Sequence, residues 1–196
     1  AAPAAPRREP ATAGDVPVLI LPSGPVDTAP TCTLAFLHLL ASARERLWIA
    51  SPYFVPGQDL MSSLKLAALR GVDVRVLIPD RPDQRLVWLA AFAYAREAIT
   101  AGISLQRYTD GFMHQKVLLI DDSVAAIGSA NLDNRSFRLN FELTPLVFDP
   151  AFVAEVAEML RRDFARSRPH DRAFQAAQSV AIRSLAPAAR LFAPLL

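Results

Sequence analysis

The strongest constraint on this chain is an alternation of short runs rich in Val, Ile and Leu with longer segments of helical spacing. Apolar runs fall at 16–21, 47–50, 72–78 and 103–108, and helical segments at 33–46, 59–70 and 83–101 lie between them. Short apolar runs that end at turn residues read as buried strands. Arg70-Gly71 supplies a stop for the second helix and Asp83 a cap for the third. Strands alternating with helices predict βαβ units and an α/β fold, a central mixed β-sheet flanked by helices. After Gly102 the rhythm tightens to strands at 103–108, 116–120 and 124–127, then a helix at 151–166. In that helix Phe152, Val156, Leu160 and Phe164 recur every four residues, a stripe expected to face the core.

A chain of 196 residues is the length of one ordinary domain, and 52% apolar with 20% charged residues is enough to fold one. Residues 1–15, with Pro3, Pro6 and Pro10 among alanines and charges, read as a linker. Residues 16–168 read as the main folded domain and 169–196 as a helical arm. That arm intersperses Phe174, Leu185, Leu191 and Phe192 with Arg172, Arg183 and Arg190. It is expected to complete the core, or alternatively to lie against an anionic membrane. With 21 basic against 19 acidic residues and no stripe of Lys/Arg with interleaved aromatics, nucleic acid is not an expected partner. The single cysteine, Cys32, excludes an internal disulfide framework and a cysteine-rich zinc site. No run of 18 apolar residues free of charge is present. The proline-rich start without methionine suggests the later part of something longer.

The chemistry concentrates in Met113-His114-Gln115-Lys116-Val117-Leu118-Leu119-Ile120-Asp121, followed by Gly128-Ser129-Ala130-Asn131. Were 115–120 a strand, His114 and Lys116 would project from one face, an imidazole beside a cation. Lys116, Ser129 and Asn131 together supply donors suited to phosphoryl oxygens, with no metal required. Histidine serves as nucleophile or general acid when a carboxylate fixes its tautomer. Glu142, between Phe141 and Leu143, is the expected orienter through a hydrogen bond to His114.

The spacing His-x-Lys-x4-Asp-x6-Gly-Ser-x-Asn resembles the HKD motif of the phospholipase D superfamily. Flanking stretches at 51–56, 68–79, 131–142 and 190–196 are similar to the C-terminal half of bacterial cardiolipin synthases. The resemblance implies a phosphodiester exchange without metal or cofactor. One motif histidine attacks phosphorus to give a phosphohistidine, the other protonates the leaving alcohol, and a second alcohol then takes the phosphatidyl group. In the synthase branch two phosphatidylglycerols give cardiolipin and glycerol. By position, His114 is nucleophile or general acid, Lys116, Ser129 and Asn131 bind phosphate, Glu142 orients His114, and Asp121 belongs to the motif as support at the strand end. Tyr53, Arg135 and Asn140 are candidates for the rim. The implied partners are an anionic phospholipid and a membrane surface, at the bacterial inner membrane.

One departure matters. Two-motif members carry the signature twice, and this chain carries it once; neither His38 nor His170 is followed by the pattern. A second HKD half is therefore implied, either a missing N-terminal half or another copy related by a two-fold axis. The second case is the arrangement of single-motif nucleases. A non-catalytic half that keeps only the fold is the third reading.

Overall fold

The computed structural model describes residues 14, 16–81 and 83–195. The expected linker, Gly14 apart, lies outside the described residues. The order of elements is β1 (Val18–Ser23), α1 (Thr31–Ser42), β2 (Arg46–Ala50), β3 (Phe54–Val55), α2 (Gln58–Leu69), β4 (Asp73–Pro79), α3 (Arg85–Thr100) and β5 (Ser104–Tyr108). There follow β6 (Val117–Ile120), β7 (Val124–Ile127), β8 (Leu132–Asp133), α4 (Asn134–Arg138), β9 (Glu142–Val147), α5 (Pro150–Ala165), β10 (Ser167–Pro169), α6 (Arg172–Ala176), α7 (Val180–Arg190) and a 3-10 turn, Ala193–Leu195.

Eight strands form one mixed sheet in the order β1-β9-β7-β6-β2-β4-β5-β10. Strands β2, β4 and β5 run parallel, joined by the crossover helices α2 and α3, while β2, β6, β7, β9 and β1 pair antiparallel in turn. The α/β expectation holds, and its physical cause is visible in the two-residue period of the central strands. Leu47, Ile49, Val74, Val76, Leu118 and Ile120 face the layer built by α1, α2 and α3. Trp48, Ala50, Leu77, Val117 and Leu119 face α5 on the other side. The predicted stripe of α5 sits there, with Val156, Leu160 and Phe164 buried and Phe152 packed at the edge. Asp149 caps that helix, accepting from Phe152 N at 2.7 Å, and Pro150 opens it.

Three boundaries differ from expectation. The first strand begins at Val18 and is an edge, not a buried strand; Val18, Leu19 and Ile20 remain about half exposed, since only β9 pairs with it. The first helix stops at Ser42, because Ala43 turns extended (ψ 133°) and Arg46 already belongs to β2. Asp83 does not cap α3: Gln84 holds that position, and the Asp83 carboxylate is taken by Tyr53. Within 169–196, α7 packs along α3 and buries Ala186 and Ala189, while Ala193 is buried nearby and its carbonyl accepts from Asn134 Nδ2 at 2.8 Å. No helix among the described residues is long and apolar enough to cross a membrane.

Candidate active site

All but two of the sequence-predicted residues assemble at one end of the sheet, where β2 and β7 finish and β6 and β9 begin. Segment 112–116 is not a strand, and β6 starts only at Val117. The segment is pinned all the same. Met113 is buried against α5, and Gln115 donates to Asp163 of that helix at 2.8 Å, so the intervening His114 is turned outward and exposed. Its ring is flanked by Phe112, stacked with centroids 5.7 Å apart, and by the edge of Tyr53 at 6.3 Å.

Lys116 still continues the ladder, its carbonyl accepting from Gly128 N at 3.1 Å. Its ammonium donates to the His114 backbone carbonyl at 2.9 Å, which ties the lysine side chain to the segment that carries the histidine. Partial burial pushes the Lys116 pKa below the ordinary lysine value, while Glu142, Asp133 and Asp83 pull it back up. One cation thus sits among three carboxylates.

Gly128 is required by close approach. A Cβ there would lie 2.6 Å from the Leu143 carbonyl and 2.7 Å from Thr144 Oγ1. The backbone can therefore press against β9, with Ser129 N donating to Leu143 O at 3.0 Å and Leu143 N donating to Ser129 Oγ at 2.9 Å. The Ser129 hydroxyl in turn donates to the Glu142 carboxylate, and Asn140 Nδ2 donates to its other oxygen at 3.1 Å. The expected bond from His114 to Glu142 is absent among the described residues. Alternation along β9 explains why the carboxylate stays on the site side: Phe141 and Leu143 point to solvent and Glu142 lies half buried between them.

Asn131 enters through a two-residue parallel ladder that sequence reasoning did not anticipate, β3 against β8. Ser51 cross-links the same loops, donating to the Tyr53 carbonyl at 2.8 Å and accepting from Leu132 N at 2.9 Å. These bonds bring the loop after β2 beside the loop after β7. Asn131 N donates to Ser136 Oγ at 3.0 Å, and the amide oxygen of Asn131 is buried without a partner. That oxygen is a buried polar atom of the cluster whose capacity is unused.

Asp121 is not brought into this cluster. It follows β6 at the opposite end, five residues beyond Lys116 and so about 16 Å away along an extended strand. Its carboxylate accepts from the backbone N–H groups of Arg44, Glu45 and Arg46 at 2.9–3.1 Å, stapling the turn between α1 and β2. Burial alone would raise its pKa, but these three donors outweigh it and hold the carboxyl below the usual range. Arg135 also stays outside: it is exposed on α4, and its charge acts on Asp133.

Residues 36–164 match the family model described as cardiolipin synthase, phospholipase D-like domain. The chain belongs to this family. Among its relatives are cardiolipin synthase A of Pseudomonas entomophila, 57% identical over 148 residues (76% of this chain, 31% of that protein), and cardiolipin synthase A of Pseudomonas aeruginosa, 51% identical over 181 residues (90% and 36%). The chain thus spans about a third of the length of the curated relatives it matches. Its fold is shared with the phospholipase D family member Nuc from Salmonella typhimurium (TM-score 0.69, 21% identity, 80% of this chain and 99% of that one). It is shared equally with phosphatidylserine synthase of Haemophilus influenzae (TM-score 0.71, 16% identity, 92% and 48%).

Against that family background, two residues at the site had not been read as part of it. Asp83 accepts from the Tyr53 hydroxyl at 2.6 Å, and Gln84 donates to the same hydroxyl oxygen at 3.1 Å. Burial and the Asp83 carboxylate push the Tyr53 phenol up to about 12. The signal for Asp83 was its acidity in a loop following a strand, and it was spent on a helix cap. Phe112, 61% exposed, is the other; a large aromatic left in water two residues before the motif histidine was the available sign.

Proposed function

We propose that this chain is one catalytic half of a phosphatidyltransferase that makes cardiolipin and glycerol from two phosphatidylglycerols at the bacterial inner membrane. The observation that carries the reading is the convergence of His114, Lys116, Ser129, Asn131 and Glu142 at one sheet end, in a family whose curated relatives here are named cardiolipin synthase A. Lys116, Ser129 and Asn131 hold the phosphodiester oxygens, supplying donors where negative charge develops.

In the first step an imidazole nitrogen forms a bond to phosphorus and the bond to the glycerol oxygen breaks. The proton needed by that leaving oxygen comes from the second motif histidine. In the second step the hydroxyl of another phosphatidylglycerol displaces the imidazole and gives its proton to the same base. His114 fills either role. The second histidine is supplied by a second HKD half, from the remainder of a longer chain or from another copy. Glu142 is committed here to Ser129 and Asn140, so supporting a histidine requires either a shift of this carboxylate or a histidine presented to it by the second half.

The test is product analysis on phosphatidylglycerol vesicles. We expect the chain combined with a domain carrying a second HKD motif to form cardiolipin, and the same assembly with His114→Ala to form none. Equal conversion by the two would overturn the assignment. Light scattering on the chain alone separates the sources of the second histidine: a monomer points to a missing half, a dimer to a shared site between copies.

A further inference from the structure

Away from the motif, helices α3, α6 and α7 enclose a cleft of about 320 Å³. Three arginines line it, Arg96 from α3, Arg172 from α6 and Arg183 from α7, all exposed. Its apolar lining comes from Phe92, Ile99 and Pro187. None of the residues of the candidate active site borders it.

Among the described residues the arginines have no carboxylate paired with them. On these three helices and their N-caps the acidic residues are Glu97 and Asp171. Both oxygens of Glu97 are engaged elsewhere, one accepting from Lys65 at 3.0 Å and the other from Arg190 at 2.9 Å. Asp171 is used as the cap of α6, accepting from Phe174 N at 2.8 Å. Arg96, Arg172 and Arg183 make no ion pair among the described residues, whereas Arg46, Arg75, Arg107, Arg138 and Arg166 each do. Like charges crowded round one cavity repel one another, and an anion relieves them. The occupant must also cover apolar surface. On α7, Val180, Arg183, Pro187 and Leu191 recur at three- to four-residue spacing, so exposed Val180 and Leu191 extend the apolar stripe beyond the cleft in both directions. A phosphate alone would satisfy the arginines and leave that stripe in water.

We propose that this cleft binds an intact anionic phospholipid without turning it over, its phosphate among Arg96, Arg172 and Arg183 and the start of an acyl chain along Phe92, Ile99 and Pro187. The charge of the triad selects phosphatidylglycerol-type lipids over zwitterionic ones, and bidentate guanidinium contacts suit a phosphodiester. Held there, the lipid lays the α6–α7 side of the chain against the bilayer.

Binding of soluble short-chain phosphatidylglycerol, short-chain phosphatidylcholine and inorganic phosphate to the purified chain tests this, followed by amide chemical shifts. We expect the anionic lipid to shift amides of α3 and α7 around the cleft and to bind at least about tenfold more tightly than either of the others, phosphatidylcholine lacking the net negative charge and inorganic phosphate the apolar chain. Inorganic phosphate binding as tightly as the lipid would overturn the proposal in favour of a free-anion site. Shifts confined to the His114 end would overturn it as well. On phosphatidylglycerol vesicles, Arg96→Gln/Arg172→Gln/Arg183→Gln is expected to weaken adhesion at least tenfold, and Ala176→Trp, which fills the cleft without altering charge, to do the same. Arg161→Gln/Arg162→Gln/Arg166→Gln, which removes equal charge from the end of α5 and its C-cap on the other face of the sheet, should change it less than threefold; equal losses in the two triple variants would mean diffuse attraction only. The readout is binding, so a failure of the transfer chemistry leaves this result standing.

Discussion

At the leading end of β6, His114 stands exposed between two aromatic rings and Lys116 has one hydrogen bond to a backbone carbonyl; at the trailing end, Asp121 is clasped by three backbone N–H groups and adopts a positive φ of 49°. The two ends carry members of one sequence motif. Their difference is that between groups whose bonding capacity is kept for a ligand and a group whose capacity is spent on the fold. A carboxylate held by three backbone donors has little left to give a substrate, and it orders the turn that starts the central strand β2. Strand β6 is the rod between the two: Leu119 and Ile120 are completely or almost completely buried, so a position set at one end is transmitted to the other.

The comparison breaks most visibly at His114. His114→Ala should lower phosphatidyl transfer on the order of 10⁴-fold or more, since a group acting as nucleophile or proton donor has no substitute nearby. Because the ring is exposed and makes no hydrogen bond among the described residues, unfolding free energy should change by no more than about 0.5 kcal/mol. Matched activity and denaturation curves on one preparation check both halves. A large loss of stability would place His114 among the structural groups instead.

Glu142→Gln comes next. The amide keeps an acceptor for Ser129 but loses the charge that would steady an imidazolium presented to it and that pulls the Lys116 pKa back up. We expect kcat to fall about a hundredfold with KM within about threefold, the signature of an interaction that strengthens in the transition state. A rise in KM at constant kcat would make Glu142 a binding residue.

The sheet and its layers could be read from the sequence because the β2, β4 and β6 runs are short and almost wholly apolar, as strands covered on both faces must be, and because longer segments of helical spacing stand between the parallel ones. The motif residues could be read because their identities are specific and their spacing places them on adjacent strand ends. What escaped was set by contacts distant in sequence. The β3–β8 ladder has two residues on each side, too few to show a period, yet it decides that Tyr53 and Asn131 share an end. Glu142 was assigned a histidine because a half-buried carboxylate needs donors; Ser129 and Asn140, thirteen residues and two residues away, met that need first. Asp83 looked like a cap because one stood where a helix should begin, and nothing local announces that a tyrosine thirty residues earlier will take it.

Asp121→Ala inverts the His114 result. Three charge-assisted bonds to backbone are lost, but those N–H groups can be rehydrated at a part-exposed turn, so a loss of about 1–2 kcal/mol is expected. Retained kcat per folded molecule is the companion expectation. Asp121→Asn, which keeps an acceptor and tolerates the left-handed conformation, should recover part of it. The pH dependence follows from the direction of the shift. The folded-state pKa lies below the unfolded one, so the Asp121 contribution is fully present above the unfolded value, near 3.9, and fades as pH falls through the folded value. The stability gap between the parent and Asp121→Ala should therefore be constant near neutrality and narrow in acid. A gap that widened in acid would contradict the staple.

Tyr53 tests the middle ground, a residue at the site whose polar atom already has partners. Its ring edge lies toward His114 while its hydroxyl is engaged by Asp83 and Gln84. Tyr53→Phe keeps the ring and frees an exposed carboxylate that water can solvate, so activity should drop by less than about tenfold and stability by less than about 1 kcal/mol. With the phenol pushed up to about 12, no tyrosinate forms in the working range, and the alkaline side of the rate profile should be the same in parent and variant. An alkaline limb that disappeared in Tyr53→Phe would show that the hydroxyl passes a proton to the site, and would move Tyr53 from the wall that positions His114 into the group whose capacity is reserved for chemistry.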